Sequence, residues 1–181
     1  DETLIHVKNM PDPGRSSDFA FKLAGEAYYG RKRPGLNKFL KYIFKRFRSV
    51  SIWTAASRPY AVNVLRNILT QEQIGRLAFF RTRQDLAVMR DGNYYKPLIK
   101  MMNDQHGKEI DMTPDNTIMI DDRSTVLQAN PGNGIQIPAW KGDDDDQYLL
   151  KLIIILEGIH YHNIHFRGFD KIIDLRELVD V

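Results

Sequence analysis

Cysteine is absent from all 181 residues. That excludes disulfide scaffolds, thiolate zinc sites, iron–sulfur clusters and every enzyme with a cysteine nucleophile, the cysteine-dependent phosphatases included. Long apolar runs are absent too. The longest, Leu149 to Leu156, is interrupted by Lys151 and falls far short of the roughly 20 residues that span a bilayer. No signal peptide is visible, so the expected address is intracellular, nuclear or cytoplasmic. What is present is a globular composition: 43% hydrophobic and 27% charged residues, too apolar for disorder and of a size for one domain.

The net charge of +3 is small but unevenly placed. Residues 1–50 carry eleven Lys/Arg against five Asp/Glu, whereas the rest carry fifteen against eighteen. Such a basic third can meet anionic partners, but Lys38, Lys41, Lys45 and Arg48 recur at helical spacing opposite Leu36, Phe39, Leu40, Ile43, Phe44 and Phe47. A solvated helix face is the plainer reading. No zinc finger, basic zipper or aromatic ribonucleoprotein signature occurs, so direct nucleic-acid binding is not expected.

Strand-like and helix-like segments alternate. Thr3 to Val7 reads as a strand end, and Phe19 to Tyr29 as a hairpin turning at Gly25. Pro34 and Gly35 open the amphipathic helix, Ser49 to Trp53 is a strand, and Pro59 begins a helix reaching about Leu69. Leu77 to Arg81, Leu86 to Met89 and Tyr94–Tyr95 read as short strands, the last after the turn Asp91-Gly92-Asn93. Pro97 to Asn103 is a short helix. Thr117 to Ile120 is an apolar run ending in two aspartates, the pattern of a buried central strand. Ile135 to Ile137 is expected as the last strand, and Asp146 to Ile159 as a final helix. The alternation predicts an α/β three-layer fold, with a mostly parallel central sheet and a small β-hairpin insertion at about 76–96, in one domain over 1–181.

Ligands of open α/β sheets bind beyond the carboxyl ends of the strands. The polar residues at such ends are Asp1-Glu2-Thr3, Thr54 and Ser57, and Asp121-Asp122, with Lys96 following the hairpin. Carboxylates with a hydroxyl and a lysine suit magnesium-assisted phosphoryl chemistry: Mg²⁺ takes hard oxygen ligands, lysine offers a point charge, and threonine a hydrogen bond. Each alone is weak evidence, and an Asp-Asp pair after a strand is more often a solvated turn or helix cap than a metal ligand. Four in separate segments tip the balance to a site.

Five segments occur in the order seen in one family: Asp1-Glu2-Thr3-Leu4-Ile5-His6, Arg31-Lys32-Arg33-Pro34-Gly35, Ile52-Trp53-Thr54-Ala55-Ala56-Ser57, Gly92-Asn93-Tyr94-Tyr95-Lys96-Pro97-Leu98 and Ile118-Met119-Ile120-Asp121-Asp122. The chain resembles the haloacid dehalogenase-type protein serine/threonine phosphatases of the RNA polymerase II C-terminal-domain phosphatase group. Lys96-Pro97-Leu98 and Thr117 to Asp122 look closer to its ubiquitin-like-domain-containing members. The resemblance implies a Rossmann-like haloacid dehalogenase fold and Mg²⁺-dependent removal of phosphate from Ser or Thr through an aspartyl-phosphate. It also implies a phosphorylated protein or peptide partner, the best-known being the RNA polymerase II C-terminal tail. Oligomeric state is not implied.

Carried over by position, Asp1 and Thr3 match the second aspartate and the threonine of the family's Asp-x-Asp-x-Thr motif, which puts the nucleophilic Asp two residues before Asp1. Asp1 resembles the general acid/base, its backbone carbonyl a magnesium ligand. Thr54 matches the phosphoryl-binding hydroxyl and Lys96 the neutralising lysine, with Ser57 and Arg81 as further substrate contacts. Asp122 resembles the direct metal ligand and Asp121 its partner, through water or by pairing with Lys96. Two rivals stand beside this reading: a catalytically dead phosphopeptide- or protein-binding module of the same fold, and a small-molecule phosphatase of the same superfamily. His160, His162 and His165 read as surface histidines, Asp143 to Asp146 as a solvated loop capping the last helix, and Trp53 and Trp140 as core or pocket wall. Tyr28, Tyr29 and Phe80 read as core with the option of a peptide groove.

Overall fold

The computed structural model describes residues 1–88, 94–161 and 173–176; Met89, the turn Asp91-Gly92-Asn93, His162 and His165 lie outside the described residues, as does the side chain of His160. The chain opens with three antiparallel strands. β1 (Ile5–Lys8) pairs with β3 (Glu26–Lys32), and β3 pairs with β2 (Phe19–Leu23), so the hairpin expected at Gly25 forms.

Helix α1 (Leu36–Arg46) follows. Gly35 precedes it in the left-handed region (φ 81°), where a Cβ would sit 2.9 Å from the Leu150 side chain, so conformation and close approach both demand glycine. Leu36, Phe39, Leu40 and Phe44 are buried, while Lys38, Lys41, Lys45 and Arg48 face solvent. The basic stripe is thus the solvated side of an amphipathic helix. Strand β4 (Val50–Trp53) and α2 (Arg58–Ile68) come next, then a short α3 (Gln71–Gly75) closed by a capping box between Thr70 and Gln73.

Strand β5 (Leu77–Arg81) then pairs in parallel with β4, Ile52 opposite Phe80 and Trp53 opposite Arg81. Among the described residues the two form a parallel sheet of their own, separate from the later parallel strands, so β5 does not belong to the expected hairpin insertion. Two apolar strands joined through helices form a crossover unit, which a local pattern of short strands does not reveal. Within 76–96 the antiparallel pairing is confined to β6 (Ala87–Val88) and β7 (Tyr94–Tyr95).

Short helices α4 (Leu98–Asn103) and α5 (Gln105–Glu109) lead to β8 (Met119–Asp121), α6 (Ser124–Leu127) and β9 (Gly134–Gln136). The last helix, α7 (Tyr148–Tyr161), packs on α1. Ile135–Ile137 is not the final strand: β10 (Ile173–Asp174) adds to β9 in parallel, giving the order β10-β9-β8. Its two residues are too few to carry a periodic signal. The main core joins α1, α2, α7 and β9, and a second cluster holds Leu98, Met102, Met119, Val126 and Leu127 beneath the site. Among the described residues, no helix is long and apolar enough to cross a membrane.

Candidate active site

The first residues form a tight turn. Thr3 N–H donates to the Asp1 carbonyl at 2.8 Å and Glu2 N–H to the Ile5 carbonyl at 2.6 Å, with Glu2 in the left-handed region at φ 61°. A non-glycine residue there costs about 1 kcal/mol or more, so the surroundings must hold it. They do: Trp140 N–H donates to the Glu2 carbonyl at 2.7 Å, and the Arg33 guanidinium to the Thr3 carbonyl at 3.0 Å. Arg33 is almost fully enclosed and grips Asp146 with both prongs, at 2.8 and 2.7 Å. This corrects the reading of Asp143–Asp146 as a merely solvated cap. Asp146 does accept the Tyr148 N–H at 3.1 Å, but it also neutralises a buried arginine, and Asp144 pairs with Arg31.

Lys96 follows β7 and is buried. Its ammonium donates to Asp121 Oδ2 at 2.6 Å, while Asp121 Oδ1 accepts the Arg123 N–H at 3.0 Å. The expected pairing of Asp121 with Lys96 is thus formed. Asp122 turns the other way and accepts the Thr3 hydroxyl, joining β8 to the first motif across 119 residues. Burial pushes the Asp122 carboxyl up and the neighbouring Asp121 adds to this, while the Thr3 hydrogen bond opposes it.

Thr54 lies one residue past β4. Its hydroxyl oxygen accepts the Ala56 N–H at 3.1 Å, which leaves its proton to donate elsewhere. Ser57 is exposed at the N-cap of α2 and makes no side-chain cap bond. In the first turn of the same helix, the Tyr60 hydroxyl donates to Asp1 Oδ2 at 3.0 Å. Burial, with nearby Tyr28 adding, pushes that hydroxyl up to about 12, so it remains a donor at neutral pH. Phe21 and Tyr28 stack at 5.1 Å, and Tyr60 meets both edge-on at 5.5 and 5.4 Å.

Asp1, Thr3, Thr54, Ser57, Lys96, Asp121 and Asp122 all line one cavity of about 930 Å³. Arg81 does not: its guanidinium reaches Asp104 at 3.1 Å and Asp85 at 3.6 Å. Arg83 lines the cavity instead, its Nε donating to the Ala55 carbonyl at 2.8 Å. Of the aromatics, Tyr28 is on the wall, whereas Tyr29 and Phe80 are not. Among the described residues, no three His, Cys, Asp or Glu side chains converge as a complete metal cage. Magnesium does not require one, since it keeps several waters and takes one or two carboxylates. Asp122 and the Asp1 carbonyl are hard oxygen donors of that kind, beside a second carboxylate whose charge a cation would relieve.

Three residues escaped the sequence reading. Tyr60 orients Asp1. Asn130 is buried and clamps the segment after Lys96, donating to the Lys96 carbonyl and accepting the Leu98 N–H, both at 2.7 Å. Arg33 fastens the first motif from behind. For Tyr60 a signal existed, a polar aromatic one helical turn beyond the Thr54 loop; for Asn130, which reads as loop, there was none.

Strands of an α/β fold thus deliver an acidic turn, a hydroxyl, a lysine and a carboxylate pair to one opening. The fold likeness is direct: the chain matches the solved structure titled "The Structure of Fcp1, an essential RNA polymerase II CTD phosphatase" with a TM-score of 0.55 and 23% identity, over 90% of this chain and 47% of that one. The chain belongs to the NLI interacting factor-like phosphatase family, whose pattern matches residues 1–167. It is 29% identical over 161 residues to the "Probable C-terminal domain small phosphatase" of Dictyostelium discoideum, covering 88% of this chain and 48% of that protein. It is 31% identical over 171 residues to "Nuclear envelope morphology protein 1" of Saccharomyces cerevisiae, covering 89% of this chain and 38% of that one. The chain thus spans about half or less of the length of these relatives.

Proposed function

We propose that this chain, as one domain over residues 1–181, is a magnesium-dependent phosphoprotein phosphatase acting on phosphoserine or phosphothreonine in an extended peptide. The observation that carries this reading is the meeting of Asp1, Thr54, Lys96 and Asp122 at a single cavity from four distant segments. The attacking carboxylate would stand two residues before Asp1, as the family motif has it. Its oxygen would form a bond to phosphorus as the bond to the seryl or threonyl oxygen breaks. Asp1, held by Tyr60, would give its proton to that leaving oxygen and later take one from the water that releases phosphate. Thr54 would donate to one phosphoryl oxygen, and Lys96 would supply positive charge near the others. Magnesium, held by Asp122 and the Asp1 carbonyl, would neutralise phosphoryl charge. By analogy with the fold, an insertion as small as the one carrying β6 and β7 would leave the cleft open, which suits a peptide better than an enclosed metabolite. The RNA polymerase II tail is one substrate of this class.

The test is turnover of a phosphoserine peptide by the chain carrying Asp two residues before Asp1. Asp1→Asn should cost about 10²–10⁴-fold in kcat, and Asp122→Ala or EDTA should abolish turnover, with excess magnesium restoring it after EDTA. Activity that survives EDTA overturns the mechanism. Peptide binding without turnover points to the binding module, and faster hydrolysis of a sugar phosphate points to a small-molecule enzyme.

A further inference from the structure

Two arginines at the end of β5 have opposite fates. Arg81, the last residue of the strand, is neutralised by Asp104 at 3.1 Å and Asp85 at 3.6 Å. Arg83 opens the single helical turn that follows, Arg83–Asp85. Its backbone N–H donates to the Ala56 carbonyl at 3.0 Å and its Nε to the Ala55 carbonyl at 2.8 Å, so the side chain is stitched to the loop that presents Thr54. Asp85, the carboxylate nearest in sequence, is turned away: it accepts the Thr82 N–H at 2.8 Å and faces Arg81. Among the described residues Arg83 has no carboxylate partner, yet it is exposed and lines the cavity.

A guanidinium held through Nε keeps its other edge, Nη1 and Nη2, as a preformed fork of donors that matches a carboxylate or a phosphate. Anchoring also removes much of the rotamer freedom that a long exposed side chain gives up on binding. Arg123 lines the cavity as well, but among the described residues only its backbone N–H is engaged, on Asp121. Arg48 lines it too, but stands before β4, at the other end of that strand from Thr54. The rest of the mouth is acidic: Asp1, Glu2 and Asp122 stand on its wall, and the Lys96 ammonium is already engaged with Asp121. A second negative group on a bound peptide therefore meets repulsion around most of the site and an anchored, unpaired cation beside Thr54.

We infer that Arg83 is a specificity-determining residue, which takes a second anionic group of the peptide, a carboxylate or a phosphate, one to three residues to one side of the phosphoresidue. The inference deepens the proposed function and rests on its placing of the phosphoryl group beside Thr54. The spacing follows from an extended peptide, which advances about 3.3 Å per residue, and from Arg83 being bonded one and two residues beyond Thr54. In that reading the phosphoryl oxygens already have Thr54 and Lys96, so the fork is left for a different group.

The test is equilibrium binding to the 181-residue chain, by fluorescence anisotropy in magnesium buffer at physiological salt. The peptides carry a phosphonate that cannot be hydrolysed in place of phosphoserine. One has neutral flanks, two have a Glu pair before or after the phosphonate, and two have a second phosphonate before or after it. An anionic group on one side should tighten binding about 5–20-fold over the neutral peptide, and on the other side not at all. Gain with Glu assigns a carboxylate to the fork, and gain only with the second phosphonate assigns a phosphate; either supports the inference. The ratio should fall to about 1 in Arg83→Gln and recover only in part in Arg83→Lys, which has the charge without the fork. Arg58→Gln should keep it, since Arg58 is also exposed but packs on the Phe80 ring, off the cavity wall. Arg123→Gln should keep it as well.

A ratio near 1 for every peptide in the parent chain overturns the inference, as does equal gain on both sides, the mark of long-range attraction. So does a ratio that survives Arg83→Gln, including the case in which that variant weakens all peptides alike, which would put Arg83 on the phosphoryl group itself. Full recovery by Arg83→Lys, or loss in Arg58→Gln or Arg123→Gln, overturns it too. The expected ratio together with failure of the turnover test above leaves Arg83 standing and sinks the phosphatase reading. Turnover with no ratio does the reverse, and a folded chain that binds none of the peptides overturns both.

Discussion

The two flanks of the Asp1–Thr3 turn are built differently. On one flank, Arg33 is sealed from solvent, gripping Asp146 with two hydrogen bonds and the Thr3 carbonyl with a third, while Trp140 holds the Glu2 carbonyl. On the other flank lie the half-buried β4 and the largely buried β8, whose residues line the cavity. The site's acidic turn is fixed by polar clamps from the antiparallel side, while the parallel strands deliver Thr54 and the Asp121–Asp122 pair. Hydrogen bonds and ion pairs set where a functional backbone goes; apolar burial supplies the free energy that keeps the whole sheet together.

The largest expected effect is on the clamped flank. Arg33→Ala leaves Asp146 without its cation and frees the Thr3 carbonyl, which should cost about 3–5 kcal/mol in chemical denaturation. Arg33→Lys should recover only part, because an ammonium cannot form the two-pronged contact. A loss below 1 kcal/mol would mean the clamp is ornamental. Next is the hinge between the flanks: Asn130→Ala removes both bonds around Lys96–Leu98 and should cost about 1–3 kcal/mol, with Asn130→Asp rescuing little because it cannot donate to the Lys96 carbonyl. Tyr60→Phe removes only the hydroxyl bonded to Asp1. It should lower phosphopeptide turnover by roughly tenfold, with Tm unchanged, and shift its pH profile.

The smallest effect is a pH dependence at the clamped flank. Burial lowers the His6 pKa from 6.5, and the ring stands edge-on to Trp140. As pH falls through 6.5 the unfolded chain takes up the proton first, so folding stability declines below that pH and is unaffected above it. Solvent on the ring's open side keeps the change under about 1 kcal/mol. Thermal melts at pH 7.5 and 5.5 should differ less for His6→Gln than for the parent chain.

Much of this was legible from the residues alone. Helical spacing in α1 and the Gly35 turn, the Phe19–Tyr29 hairpin, and polar residues at the ends of β4 and β8 are local patterns, and they formed where expected. Partner choice was not legible. Nothing in the sequence distinguishes Arg33, buried on Asp146 across 113 residues, from its half-buried basic neighbours Arg31 and Lys32. Arg81 and Arg83 look alike in sequence, yet Arg81 is taken by Asp104 and Arg83 reaches the cavity. β5 read as part of a hairpin because its own five residues do not encode the partner that two intervening helices bring to it.

The sequence by itself determined the alternation of elements, the residue types at strand ends and the family they spell, because periodicity and turn chemistry are local properties of the chain. Only the tertiary structure decided that Lys96 meets Asp121 while Thr3 meets Asp122, and that β4 pairs with β5 while β8 pairs with β9. Those outcomes depend on pairing between residues 25 to 119 positions apart, which no local propensity encodes and which close packing of the whole chain selects.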